Sequence, residues 1–278
     1  MPQHDSAKKV ETKPSLGFSA TAALKNAAEL WFLTAVAGQW VFFLYIAAYY
    51  ISPTLREGAG ALAGTHLPKS YIPGDVIGNM AVVAHLFLAA VVMGTGPLQL
   101  VPQIRNRFGI FHRWNGRLYI IAACITGISG LYMVWIRGSV GGMVQHIGIS
   151  LNAVLIIACS VMALRHALVR DIRRHRRWAL RLFLVVAGVW FARLGLWFWV
   201  YLTGGAGVDL RTFTGPFLNI LNFAQYLVPL AVLEIFFYAR DHAGAYGRFA
   251  MAAALLMLTF ATAIGIQQAS VRLWLPRI

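Results

Sequence analysis

Residues 78–101 read GNMAVVAHLFLAAVVMGTGPLQLV. The run has no charged side chain, and as an α-helix its length of about 36 Å exceeds the ~30 Å hydrocarbon core of a bilayer. Its polar exceptions cluster at the ends, except His85 about seven residues in, roughly 10 Å deep at 1.5 Å per residue. An ionisable side chain at that depth is a functional candidate by default. A membrane-spanning helix with a histidine inside it is therefore the first element to place.

Working outward, six more apolar runs have spanning length: about 29–52, 110–136, 143–165, 177–203, 215–239 and 249–270. The whole chain is 59% hydrophobic and 12% charged, about half the charged fraction of a soluble domain. The fold class expected is all-α: a polytopic membrane protein of about seven transmembrane helices with a central four-helix bundle. Residues 1–28 read as a polar, disordered cytoplasmic tail without a secretory signal. Residues 29–278 read as a single transmembrane domain whose helical core covers about 78–203.

The net charge of +15 invites a nucleic-acid reading, but its distribution argues against one. Seventeen of the 24 basic residues fall in the tail and alternate loops, six on the opposite side, and Arg193 lies within a span. Under the positive-inside rule this predicts an N-in, C-out protein of a bacterial inner membrane. Anionic lipid headgroups then suffice as partners for the basic loops, with no nucleic acid. Cys124 and Cys159 fall at different depths in the third and fourth spans, which predicts free thiols.

Four histidines stand at alternating ends of four consecutive spans. His85 and His146 belong to the outer side, His112 and His175 to the inner side. Two pairs on alternate helices suit axial ligation of b-type haem, with His85 and His146 on an outer iron and His112 and His175 on an inner one. The outer imidazole nitrogens are expected to face each other about 4 Å apart, given metal–nitrogen bonds near 2 Å. Below His112 a stripe of Gly116, Tyr119, Ala123, Gly127 and Gly130 leaves room for a flat macrocycle. The competing reading of that stripe is close helix approach in lipid. His175, set in Arg173-Arg174-His175-Arg176-Arg177-Trp178, reads equally as part of a headgroup belt. Arg193 lies eighteen residues beyond His175 and is expected on the same helical face. There it balances a haem propionate or a quinone oxygen, or bonds to Asn222 and Gln225. Glu234 is too far along the axis.

The topology and histidine spacing of residues 78–200 resemble the ascorbate-reducible transmembrane di-haem b-type cytochromes, although the intervals here are shorter. A closer sequence resemblance rests on Gly96-Pro97-Leu98-Gln99, His112-Arg113-Trp114-Asn115-Gly116-Arg117-Leu118-Tyr119, Gly127-Ile128-Ser129-Gly130-Leu131-Tyr132 and His175-Arg176-Arg177-Trp178-Ala179-Leu180-Arg181, with Arg193 downstream. Over about 85–235 these are similar to the bacterial membrane family catalogued as domain of unknown function 2306, a likeness that implies fold but no established activity.

Gly127-Ile128-Ser129-Gly130 is also similar to the nucleophile motif of rhomboid proteases, with His85 or His146 as base. Ser129 lies mid-helix without an oxyanion constellation, so the match is too weak for a protease. No paired carboxylates, histidine box, phosphate loop or CxxC is visible. The function expected is electron transfer through haem b, with quinone or another redox protein as partner. The alternative is a cofactor-free membrane protein with a structural, lipid-interacting or assembly role.

Overall fold

A computed structural model describes residues 19–67 and 69–278. Helix α1 (Ala20–Ile46) begins well before position 29, because the Ser19 hydroxyl caps it by accepting from the Ala22 amide at 3.2 Å. Its first turns are rich in alanine, the strongest helix former. The expectation of a disordered tail thus gives way to helix from Ala20 onward; residues 1–18 lie outside the described residues.

Helix α1 continues through a π-helical turn (Ala47–Ile51) into α2 (Ser52–Glu57), forming the first apolar segment of spanning length. The second is α3 (Val76–Leu100), and the short α4 (Pro102–Arg107) links it to α5. Helix α5 (Gly109–Tyr132), extended by a π-turn at Met133–Gly138, is the third, and α6 (Gly142–Leu168) the fourth. Helices α9 (Pro216–Asp241) and α10 (Ala245–Ala269), the latter extended by a π-turn at Ser270–Trp274, are the last two. Between them the fifth run is broken: α7 (Ile172–Val186) and α8 (Gly188–Thr203) meet at 52°. Among the described residues the membrane protein is all-helical, with six helices long and apolar enough to span, or seven counting the bent pair.

The break falls at Ala187, whose ψ of 3° leaves helical geometry. Gly188 then packs so closely on α6 that a Cβ would lie 2.9 Å from Asn152 Nδ2. The face expected to join His175 to Arg193 does not run through this bend, because a straight-helix azimuth holds only along one axis.

Helix α3 packs on α5, α5 on α6, α6 on α7, and α7 returns to α3. The four close a bundle with α3 and α6 on one diagonal and α5 and α7 on the other. Helix α1 lines α3 and α10, α8 leans on α9 and α10, and α9 also covers α6 and α7. One continuous core joins these layers, including Tyr45, Tyr119, Leu182, Trp190 and Trp274. Small residues permit the close crossings, as expected in lipid: a Cβ on Gly38 of α1 would lie 2.8 Å from the Trp190 ring.

The segment between α2 and α3 folds over the end of the molecule opposite the basic loops. Leu62 is buried, and Arg137 clasps the segment in place. Arg137 Nε donates to the Lys69 carbonyl at 2.6 Å, Nη1 to Asp75 at 2.9 Å and Nη2 to Asn79 Oδ1 at 2.6 Å.

Candidate functional site

Two polar centres lie within the helices. The first is at the end bearing the basic loops. His112 is the fourth residue of α5 and His175 the fourth of α7, each about 4.5 Å in from its helix start. The two imidazoles are within electrostatic range of each other, and His112 also of Arg105 and Arg113. His175 Nδ1 donates to the Ala163 carbonyl of α6 at 2.9 Å. Beside His112, the Gln99 amide oriented to satisfy its neighbours donates to the His112 carbonyl at 3.2 Å and to His112 Nδ1 at 3.1 Å. Its oxygen accepts from the Gly116 amide at 3.2 Å and from Asn115 Nδ2. In both imidazoles Nδ1 is engaged, and Nε2 has no hydrogen bond among the described residues.

The same contacts explain the two motifs either side of the α3–α5 link. Gly96 lies against Tyr119, where a Cβ would come within 2.7 Å of the ring. Gln99, one turn on, reaches His112, Asn115 and Gly116. The small stripe on α5 is occupied by neighbours: Gly116 faces Gln99, Gly127 faces Ala153 of α6, and Gly130 faces the His85 ring. The stripe serves close helix packing rather than open space for a macrocycle.

The second centre lies toward the opposite end. His85 Nδ1 meets Ser129 Oγ of α5 at 2.9 Å, and the Ser129 hydroxyl donates to the Thr126 carbonyl at 3.1 Å. With the hydroxyl proton committed to the backbone, His85 Nδ1–H is the donor to Ser129. This is an interhelical bond, not an activated nucleophile. Arg193, on α8, donates from Nη1 to the Val189 carbonyl at 3.1 Å and stacks over Phe42 at 5.1 Å. It lies within electrostatic range of His85, Tyr45 and Tyr50. The expected bonds to Asn222 and Gln225 are not made: Gln225 donates to the Asn222 carbonyl at 2.9 Å, and Asn222 packs on Gly148. Glu234 instead pairs with Arg181 at 2.7 Å.

Tyr45, Tyr50 and His66 complete this centre and were missed from the sequence. The tyrosine hydroxyls are 3.1 Å apart, and His66 Nε2 lies 3.4 Å from Tyr45 and 3.2 Å from Tyr50. Residues five apart diverge around a regular helix, but the π-turn at Ala47–Ile51 aligns them, as i→i+5 closure requires. Burial of its inward edge, with Arg277 and Arg193 nearby, pushes the His66 pKa down to about 4.

His146 is the fifth residue of α6 and His85 the tenth of α3, a stagger of about 7.5 Å if the helix ends are level. His146 sits edge-on to Trp135 at 5.5 Å, and its Nε2 is buried without a partner among the described residues. Among the described residues, no hydrogen bond or ring contact joins His146 to His85. No cluster of three or more His, Cys, Asp or Glu side chains suited to a metal ion occurs among them either.

A family model described as predicted membrane protein (DUF2306) matches residues 82–227, just over half of the chain. This stretch contains α5, α6, α7 and α8, most of α3, and the four bundle histidines. No curated protein and no solved structure matches the chain.

Proposed function

The chain belongs to the DUF2306 family of predicted membrane proteins, and we propose that it is a membrane redox protein holding one b-type haem between His112 and His175. The observation that supports this is the state of the two imidazoles. They occupy diagonal helices at matching positions, and Gln99 and the Ala163 carbonyl engage their Nδ1 atoms. Ligating histidines typically donate their second ring N–H in this way, as His175 does to Ala163, whereas His112 Nδ1 accepts from Gln99. Nε2 of His175 remains for iron; ligation by His112 Nε2 requires the ring proton on Nδ1 with the Gln99 amide turned so that its oxygen accepts it, and Arg105 and Arg113 supply positive charge near His112 for the propionates. When bound, haem would supply one-electron exchange, and it would have to part the helices packed along the stripe beneath His112. The outer pair is left out of this reading, since His85 is bonded to Ser129 and staggered from His146. Arg193, with Tyr45 and Tyr50 beside it, is assigned to the redox partner, where a quinone oxygen would accept from the free guanidinium N–H groups. The uneven spread of basic residues supports a cytoplasmic N-terminus in a bacterial inner membrane under the positive-inside rule.

The cofactor-free reading is favoured by one observation, the occupied stripe beneath His112. Haem titration of the purified protein separates the two. The proposal expects stoichiometric binding that is lost in His112→Ala and in His175→Ala and kept in His146→Ala. Binding that survives both inner substitutions would overturn it.

A further inference from the structure

Two adjoining cavities lie away from all four bundle histidines. One, of about 310 Å³, is lined by Arg173, Arg176 and Arg177 of α7 and by Arg240 of α9, with Leu180 and Phe237 at its base. The other, of about 790 Å³, is an apolar cleft between α1, α7, α8, α9 and α10, and both share Leu180 and Arg240 as walls. The cleft lies within the ~300–1,000 Å³ usual for ligand sites. Along α9 its lining extends from Leu221 to Arg240, about 28 Å at 1.5 Å per residue, more than the ~15 Å depth of one leaflet.

The charges do not balance at the polar end. Among the described residues, Asp241 pairs with Arg177 and Arg240, while Arg173 and Arg176 make no side-chain ion pair. Arg181 is taken by Glu234, Arg174 by Asp171 and Lys25 by Glu29. Four guanidiniums thus share one carboxylate, and Arg177 Nε is buried with no hydrogen-bond partner. A cationic mouth opening onto a long apolar cleft matches an amphiphile with an anionic head.

We propose that the two cavities form a site for one anionic phospholipid, its phosphate among Arg173, Arg176, Arg177 and Arg240 and one acyl chain in the cleft. Arginine suits the phosphate because its planar fork donates two hydrogen bonds at once. The lipid would fasten α9, which seals one wall of the cleft, to α7 and α10. The site is independent of any haem.

The test uses the full-length protein in detergent, with binding followed by native mass spectrometry and thermal shift. The probes are phosphatidylglycerol, phosphatidylcholine and inorganic phosphate. Phosphatidylglycerol is expected to bind and raise Tm, and phosphatidylcholine to do so much more weakly. The Arg173→Gln/Arg176→Gln double variant keeps its lipid-free Tm and binds phosphatidylglycerol about twenty-fivefold more weakly, at about fivefold per cationic contact. Ala261→Trp, which fills the cleft, abolishes the shift with all four arginines in place. Equal response to both lipids, full binding in the double variant, or an equal shift from inorganic phosphate would each overturn the proposal.

Discussion

Arg137→Met tests the clasp that holds the α2–α3 segment over its end of the molecule. The guanidinium makes three hydrogen bonds, to the Lys69 carbonyl, Asp75 and Asn79, and its side chain is only 3% exposed. Removing one member of a buried ion pair costs about 3–5 kcal/mol, mostly through the charge left behind. Asp75 is 36% exposed and regains water, and Asn79 Oδ1 keeps the Ile72 amide as a donor at 2.9 Å. The loss therefore falls at the lower end, about 3 kcal/mol. At 1.4 kcal/mol per factor of ten, the segment opens about a hundredfold more often. Hydrogen exchange by mass spectrometry reads this directly in peptides covering 65–79. Asp75→Asn provides the control: asparagine still caps α3, where Asp75 Oδ1 accepts from the Gly78 amide at 2.9 Å, and it removes only the ion pair. Its effect should be of similar size, because the charge it leaves behind is the buried Arg137 guanidinium. Exchange in Arg137→Met within about threefold of the parent would refute the reasoning, since a clasp worth 3 kcal/mol predicts far more.

Gly96→Ala forces a methyl to within 2.7 Å of the Tyr119 ring and should destabilise the protein by about 1–3 kcal/mol in a detergent melt; in a Tyr119→Ala background the same substitution should cost almost nothing. Ser129→Ala leaves His85 Nδ1 without its partner, for a loss of about 1 kcal/mol, typical of interhelical hydrogen bonds in membranes. The cap should loosen in acid: His66 has a pKa of about 4 in the folded protein against about 6.5 unfolded. Both states are neutral above pH 6.5, so stability is full there. It falls as pH drops from 6.5 toward 4, where only the open form takes the proton, and it levels off below. Exchange of residues 58–67 against pH measures this, and His66→Gln should flatten the profile.

The spanning segments were readable from apolar run length alone, because lipid forces every backbone polar group into helix. The bundle followed from short links between spans two to five. The bend at Ala187 was not readable: one Ala-Gly step in an apolar run looks like weak helix, and only the approach of α6 at Asn152 shows why the chain turns there. Tyr45 and Tyr50 were hidden for a related reason, since a period of 3.6 separates what the π-turn joins. His66 lay in a stretch whose glycines and prolines say nothing of where it packs. The histidines themselves were visible, but not their second partners. Gln99 stood in a motif next to His112 in space, thirteen residues away in sequence, and only the fold of α4 brings the two together.

The reduced-minus-oxidised absorption spectrum tests the central claim most directly. It is measured on protein expressed with ample haem and purified in detergent. Bis-histidine ligation by His112 and His175 predicts a Soret band that shifts on dithionite reduction, with sharp α and β bands and about one haem per chain. A spectrum with no Soret band, from protein that is folded and has been offered haem, would contradict it.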